Sequence, residues 1–122
     1  MILAIVGSVE LNQPQRLTVM WLVDAVLTAK KYSAIVTGGA QGVDDIGAFT
    51  ANRLGIVVMT EAPDVHAWDP PGQRGFKARN EDIAKICDEL LMIRSQQSRT
   101  YGSGWTADYA ESLGKIVRRV YV

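Results

Sequence analysis

Three glycine-containing segments in this 122-residue chain are the first places to look for chemistry: Gly7-Ser8, Gly38-Gly39-Ala40-Gln41-Gly42 and Tyr101-Gly102-Ser103-Gly104. Glycine lets backbone N–H groups approach an anion closely, and a helix N-terminus behind the loop adds partial positive charge. Ser8, Ser103 and Thr106 carry hydroxyls that could donate to the same phosphate. Taken singly, each segment could equally be a tight strand-to-helix turn. No Gly-Lys-Ser/Thr follows the glycines, so none is a P-loop. None reads G-x-G-x-x-G, so a hydride-transferring dinucleotide enzyme is not supported. Arg74, Lys77 and Arg79 form a small basic cluster, suited to a diphosphate or simply to a solvated helix start.

Each segment needs a strand before it and a helix after it to act this way. Ile2 to Val6 is a continuous apolar run ending at Gly7, as expected of a strand covered on both faces. Pro14 can open a helix, and Gln15 to Lys31 carries apolar residues around most of its circumference. Ala34 to Thr37 reads as a second strand, Val43 to Leu54 as a helix capped by Gly55, and Ile56 to Thr60 as a third strand. Glu61 to Gln73, with three prolines, is the one long loop, and it could cover the rim with His66 and Trp68. Phe76, Asn80, Ile83 and Cys87 keep helical spacing. Leu90 to Ile93 reads as a fourth strand, Gly102 to Leu113 as a fourth helix, and Lys115 to Val122 as a last strand.

The alternation predicts an α/β, Rossmann-like three-layer sandwich: a five-stranded parallel sheet in the order 3-2-1-4-5, with right-handed crossovers and helices on both faces. The glycine segments then lie along one rim, where open parallel sheets bind ligands. Arg118-Arg119 in the last strand suits an edge position.

Composition limits what such a rim can serve. The length is that of a single domain over residues 1–122. Thirteen basic residues balance thirteen acidic ones, which argues against a strongly basic nucleic-acid sleeve. No apolar run is long enough to span a membrane, and the apolar opening reads as a strand rather than a leader. The lone Cys87 has no partner for a disulfide or a metal site, so it reads as a buried structural thiol in a reducing cytoplasm. No cofactor or metal is expected. The near-continuous apolar girdle from Leu17 to Leu27, including Met20 and Trp21, predicts a homo-oligomer, most simply a two-fold dimer.

Gly38-Gly39-Ala40-Gln41-Gly42-Val43-Asp44 closely matches the GGARGVD signature, and in this the chain resembles the SLOG superfamily. That superfamily takes in the YspA-like and YpsA-like proteins, the DNA-processing protein DprA and the LOG cytokinin-activating hydrolases. Gly7-Ser8, Arg79-Asn80 and Gly102-Ser103 with Thr106, Ala110 and Gly114-Lys115 agree in order, so the resemblance spans nearly the whole chain. It implies a rim that binds nucleotides or nucleotide-derived ligands. Gly38, Gly39, Ala40 and Gly102, Ser103, Gly104 would then contact phosphate or ribose-phosphate, and Arg79 would face the ligand. Asp44 would cap the second helix or touch the ligand. Trp105 would stack on a base or pack its helix on the sheet.

One departure bears on activity. LOG hydrolases are similar to one another in a PGGxGTxxE segment whose glutamate serves cleavage of the N-glycosidic bond. Here the segment reads Gly102-Ser103-Gly104-Trp105-Thr106 with no carboxylate in that place, and Asp108 and Glu111 lie further along the helix, on its solvent side. General acid–base work needs a carboxylate within hydrogen-bond reach. No catalytic residue is therefore assigned. The leading expectation is a binding module for a nucleotide or ADP-ribose-like ligand. A nucleoside-monophosphate phosphoribohydrolase is the alternative. Single-strand DNA binding, as in DprA, is disfavoured by zero net charge and the lack of a basic-aromatic stripe.

Overall fold

The apolar run Ile2–Gly7 forms β1, the central strand, with Leu3, Ala4 and Ile5 fully buried because both faces are covered. In chain order follow α1 (Gln13–Ala29), β2 (Ala34–Thr37), α2 (Val43–Arg53), β3 (Val57–Thr60), α3 (Phe76–Ile86), β4 (Glu89–Arg94), α4 (Gly102–Ser112) and β5 (Ile116–Tyr121). The structure, a computed structural model, describes residues 1–122. All four strand pairings are parallel and the order is β3-β2-β1-β4-β5, as the sequence predicts. The topology reverses between β1 and β4.

Alternation along β1 divides the core. Leu3 and Ile5 pack under α1 and α2 with Val19, Val23, Leu27 and Ile46. Ala4 and Val6 face α3 and α4 with Ile83, Leu90, Met92 and Ala107. Cys87 lies in this second layer, and burial pushes its thiol up to about 11, so it stays an inert packing group.

Local chemistry sets the element ends. Asn12 Oδ1 accepts from Gln15 N and Gln15 Oε1 accepts from Asn12 N, both at 2.9 Å. This reciprocal cap starts α1 at Gln13, two residues before the apolar pattern begins. At the far end of α2, Gly55 takes φ +75° and Ile56 N donates to Ala51 O, so β3 begins one residue later than its β-branched run.

β4 extends past its apolar run to include Glu89, whose charge hides its place in the sheet. That carboxylate is 3% exposed, within 2.6 Å of Lys30 Nζ and 3.3 Å of the Tyr32 hydroxyl. The Lys30 contact is the main reason its pKa lies below the ordinary glutamate value. Arg118 and Arg119 do sit on the edge strand, with Arg119 tied to Asp108 and Glu111 on α4.

Candidate functional site

β1, β2 and β4 release their chains at one rim, and the first requirement there is close approach. A Cβ on Gly7 would fall onto the carbonyl of Ile93 and the side chain of Val43, so only glycine lets β1 end between β4 and α2. Gly39 and Gly42 take φ of +73° and +79°, which turns the second loop from β2 into α2.

That loop is wound around Asp44. Its Oδ2 accepts from Gly38 N at 3.0 Å and from Ala40 N at 3.3 Å, while Gly39 N donates to Thr37 Oγ1 at 3.2 Å. All three amides, of Gly38, Gly39 and Ala40, are thereby committed inside the loop, so they shape the site rather than offer free donors to an anion. Gly39→Val is expected to lower stability by about 1–2 kcal/mol, since a side chain must enter the left-handed region. A denaturant titration at pH 7 checks this.

Asp44 is 6% exposed, and burial, outweighing its amide donors and the Arg79 charge, pushes its pKa up to about 6. Its other oxygen has no hydrogen-bond partner, and the residue lines a cavity of about 400 Å³ at the crevice between β1 and β4. That volume is in the range of small-molecule sites.

Arg79 and Asn80 enter the same cavity from α3. Arg79 donates from one terminal nitrogen to Gly38 O and from Nε to Asn80 Oδ1, both at 2.8 Å, and its guanidinium lies 5.3 Å over the Phe76 ring. No carboxylate comes within ion-pair distance of it. Arg74 and Lys77 behave differently: Arg74 pairs with Glu61 and Asp82, and Lys77 with Asp69. Of the basic cluster seen in the sequence, only Arg79 lines the cavity and makes no direct ion pair, with the Asp44 charge in the same cavity acting on it at longer range. Burial pulls its pKa down from the ordinary arginine value.

With its oxygen held by Arg79, the 6%-exposed Asn80 presents an amide nitrogen with no protein partner. A Cβ on Gly102 would lie 3.9 Å from that nitrogen, so it faces the start of α4. No side chain caps α4, and its first turn holds no acid, leaving the amides of Gly102 and Ser103 without a partner at the cavity. The first turn of α2 contrasts with this, because it carries Asp44 and Asp45.

The predicted site residues thus divide. Gly7, Gly38, Ala40, Asp44, Arg79, Asn80, Gly102, Ser103 and Thr106 line the cavity. Thr106 is 1% exposed and its hydroxyl donates back to Gly102 O at 2.8 Å, so it stiffens the first turn of α4 and cannot donate to a ligand. Ser8 turns to the opposite side of the crevice, where its hydroxyl accepts from Ser95 N at 2.9 Å. Gly39 is exposed and outside the lining, and Gly104 is buried behind it. Trp105 takes the packing role, stacked on Tyr109 with centroids 5.2 Å apart and met edge-on by Trp68 at the same distance.

The apolar walls, Val6, Val9, Trp68, Phe76, Ile83 and Tyr101, had no motif to mark them. Only the position of Trp68 in the proline-rich loop pointed to the rim. Asp108 and Glu111 lie outside the cavity on the exposed face of α4, bound to Arg119, and Asp108 also accepts from the Tyr101 hydroxyl at 2.9 Å. No cluster of three or more His, Cys, Asp or Glu could hold a metal ion, and no helix is long and apolar enough to cross a membrane.

No protein-family model and no curated protein matches this chain. Two solved structures share its fold. TM1055, a structural-genomics target, superposes with a TM-score of 0.73 at 20% identity, over 95% of this chain and 71% of its own. DNA processing protein A (DprA) from Streptococcus pneumoniae gives a TM-score of 0.70 at 21% identity, over 97% of this chain. The chain spans only 49% of DprA's length. At the level of the fold, these likenesses agree with the SLOG-type resemblance read from the GGAQGVD segment.

Proposed function

We propose that the rim cavity binds a phosphorylated nucleotide or a nucleotide-derived ligand of the ADP-ribose kind, and holds it intact. The protein would act as a cytoplasmic sensor, carrier or sequestering module. One observation carries this reading. The uncapped, acid-free start of α4, the unpartnered Asn80 amide and the unpaired Arg79 guanidinium all line one cavity, opposite apolar and aromatic walls. Helix N-terminal amides with a guanidinium suit phosphate oxygens, and the walls formed by Val6, Phe76, Trp68 and Tyr101 suit a base or the apolar face of a ribose.

The test is titration calorimetry with ADP-ribose, AMP and ribose 5-phosphate, followed by chromatography of each mixture. Saturable binding with unchanged ligand is the expected result. Absence of heat with all three at millimolar concentration would refute it.

A second reading has one specific observation in its favour. Asp44 is the sole carboxylate lining the cavity, and a carboxyl group with a pKa near 6 is tuned for general acid–base work. A phosphoribohydrolase built on Asp44 would release the free base from AMP, and Asp44→Asn would abolish that release. Asp108→Asn and Glu111→Gln would leave it unchanged, because both side chains lie outside the cavity.

A further inference from the structure

The largest departure from an ordinary monomer surface lies away from the rim, on the outer face of α1 and α2. The apolar girdle of α1 divides once folded: Val19, Val23 and Leu27 are buried against the sheet, while Leu17, Met20 and Trp21 face outward. Trp21 is 82% exposed, and Phe49 on α2 is 63% exposed.

Two ion pairs fix how these residues sit. Arg16 reaches Asp45 at 3.7 Å, and Asp24 reaches Arg53 at 3.3 Å, so the two helices are bridged at two levels. The levels are eight residues apart on each helix (16 to 24 and 45 to 53), or about 12 Å of helix rise. Met20 and Phe49 fall midway between them, with Trp21 and Leu17 beside Met20. The result is a continuous apolar strip closed at each end by one cation and one anion.

We propose that this strip is the contact surface of a two-fold homodimer, in which α1 and α2 of one copy pack on α1 and α2 of the other. The occupant follows from area and charge. Leu17, Met20, Trp21 and Phe49 expose on the order of 500 Å² of apolar side chain, in the upper part of the range for the largest patch on a monomer, where such patches are often functional. With the four ion-pairing residues at its ends, the patch approaches the ~800 Å² per partner of a standard interface. Each end is neutral and carries both signs, so a second copy in the reversed orientation sets opposite charges within reach and forces no like-charge contact. A strongly charged partner would find no complementary field here. The proposal does not depend on the ligand at the rim.

Sedimentation velocity over 5–100 µM tests it, on the wild type and on Trp21→Glu, Phe49→Lys and Leu113→Glu. The wild type is expected to sediment at twice the 13.4 kDa chain mass. Trp21→Glu and Phe49→Lys should each raise the dimer dissociation constant at least a hundredfold. Leu113→Glu, at an exposed apolar residue beyond the end of α4, should leave it unchanged. The removed side chains are exposed, so unchanged circular-dichroism melts will show that the variants remain folded. A wild-type monomer at 100 µM would overturn the proposal and leave the strip to a different protein. A dimer that survives both strip substitutions would also overturn it, and would point to pairing through the sheet edges at Val57 or Ile116.

Discussion

Replacing Arg79 with alanine is expected to weaken ADP-ribose binding ten- to a hundredfold while leaving the fold intact. The guanidinium is held from below by Gly38 O and Asn80 Oδ1, so its remaining donors are oriented before a ligand arrives. It also has no direct ion pair to give up, since Asp44 acts on it only at longer range. A charge-assisted hydrogen bond of this kind is worth roughly 1.5–3 kcal/mol. Arg79→Lys should recover only part of the loss, because an ammonium cannot bond Gly38 O, Asn80 Oδ1 and a phosphate in one plane. The control is Arg74→Ala. Arg74 is paired with Glu61 and Asp82, so its removal should change the affinity less than threefold. Calorimetric titration of the three variants checks the ranking.

The second large effect concerns pH. In the folded protein Asp44 titrates near 6, above its ordinary 3.8, mainly because burial penalises its charged form. A carboxyl group with a raised folded pKa makes the native state the better proton binder between the two values. Stability therefore falls as pH rises through that window. Holding the ionised group at pH 7 costs about 3 kcal/mol in full, of which about 1 kcal/mol develops between pH 5 and 7.

Glu89 and Asp108 have the opposite sense, since their folded pKa values are lowered by Lys30 and by Tyr101 with Arg119. Their contributions are lost only below the ordinary carboxylate range, which leaves pH 5 to 7 to Asp44. Asp44→Asn keeps an oxygen acceptor for Gly38 N and Ala40 N. It should be more stable than the wild type at pH 7 and show a flatter profile from pH 5 to 7. Urea unfolding at four pH values measures the slope. A wild-type stability that rises over that interval would contradict the environment described for Asp44.

Much of the fold could be read in advance because its signals are local. β-branched runs ending in glycine and apolar residues at helical spacing each act within a few residues. Glu89 escaped notice because Lys30 and Tyr32, which make its burial tolerable, come from elsewhere in the chain. The rim was visible through its glycines, yet the sequence could not say which amides stay free. Asp44 reads as a helix-start acid, but folding turns its carboxylate back onto Gly38 N and Ala40 N, so those two amides are no longer free to meet an anion. The Thr106 hydroxyl is likewise withdrawn by the carbonyl one turn earlier. Asn80 carries no motif of its own beyond its neighbour Arg79. Its oxygen is taken by that neighbour, and only folding brings its amide nitrogen to face the start of α4.

The central claim is that one cavity, bounded by α3, α4 and the Gly38 loop, takes a phosphorylated nucleotide-like ligand. Amide chemical-shift mapping by nuclear magnetic resonance, on isotope-labelled protein titrated with ADP-ribose, tests it most directly. The account predicts saturable shifts centred on the amides of Gly102, Ser103 and Gly104 and on the side chains of Arg79 and Asn80, with little change around Trp21 and Phe49. Shifts confined to the Ser8–Ser95 side of the crevice, or none at millimolar ligand, would contradict it.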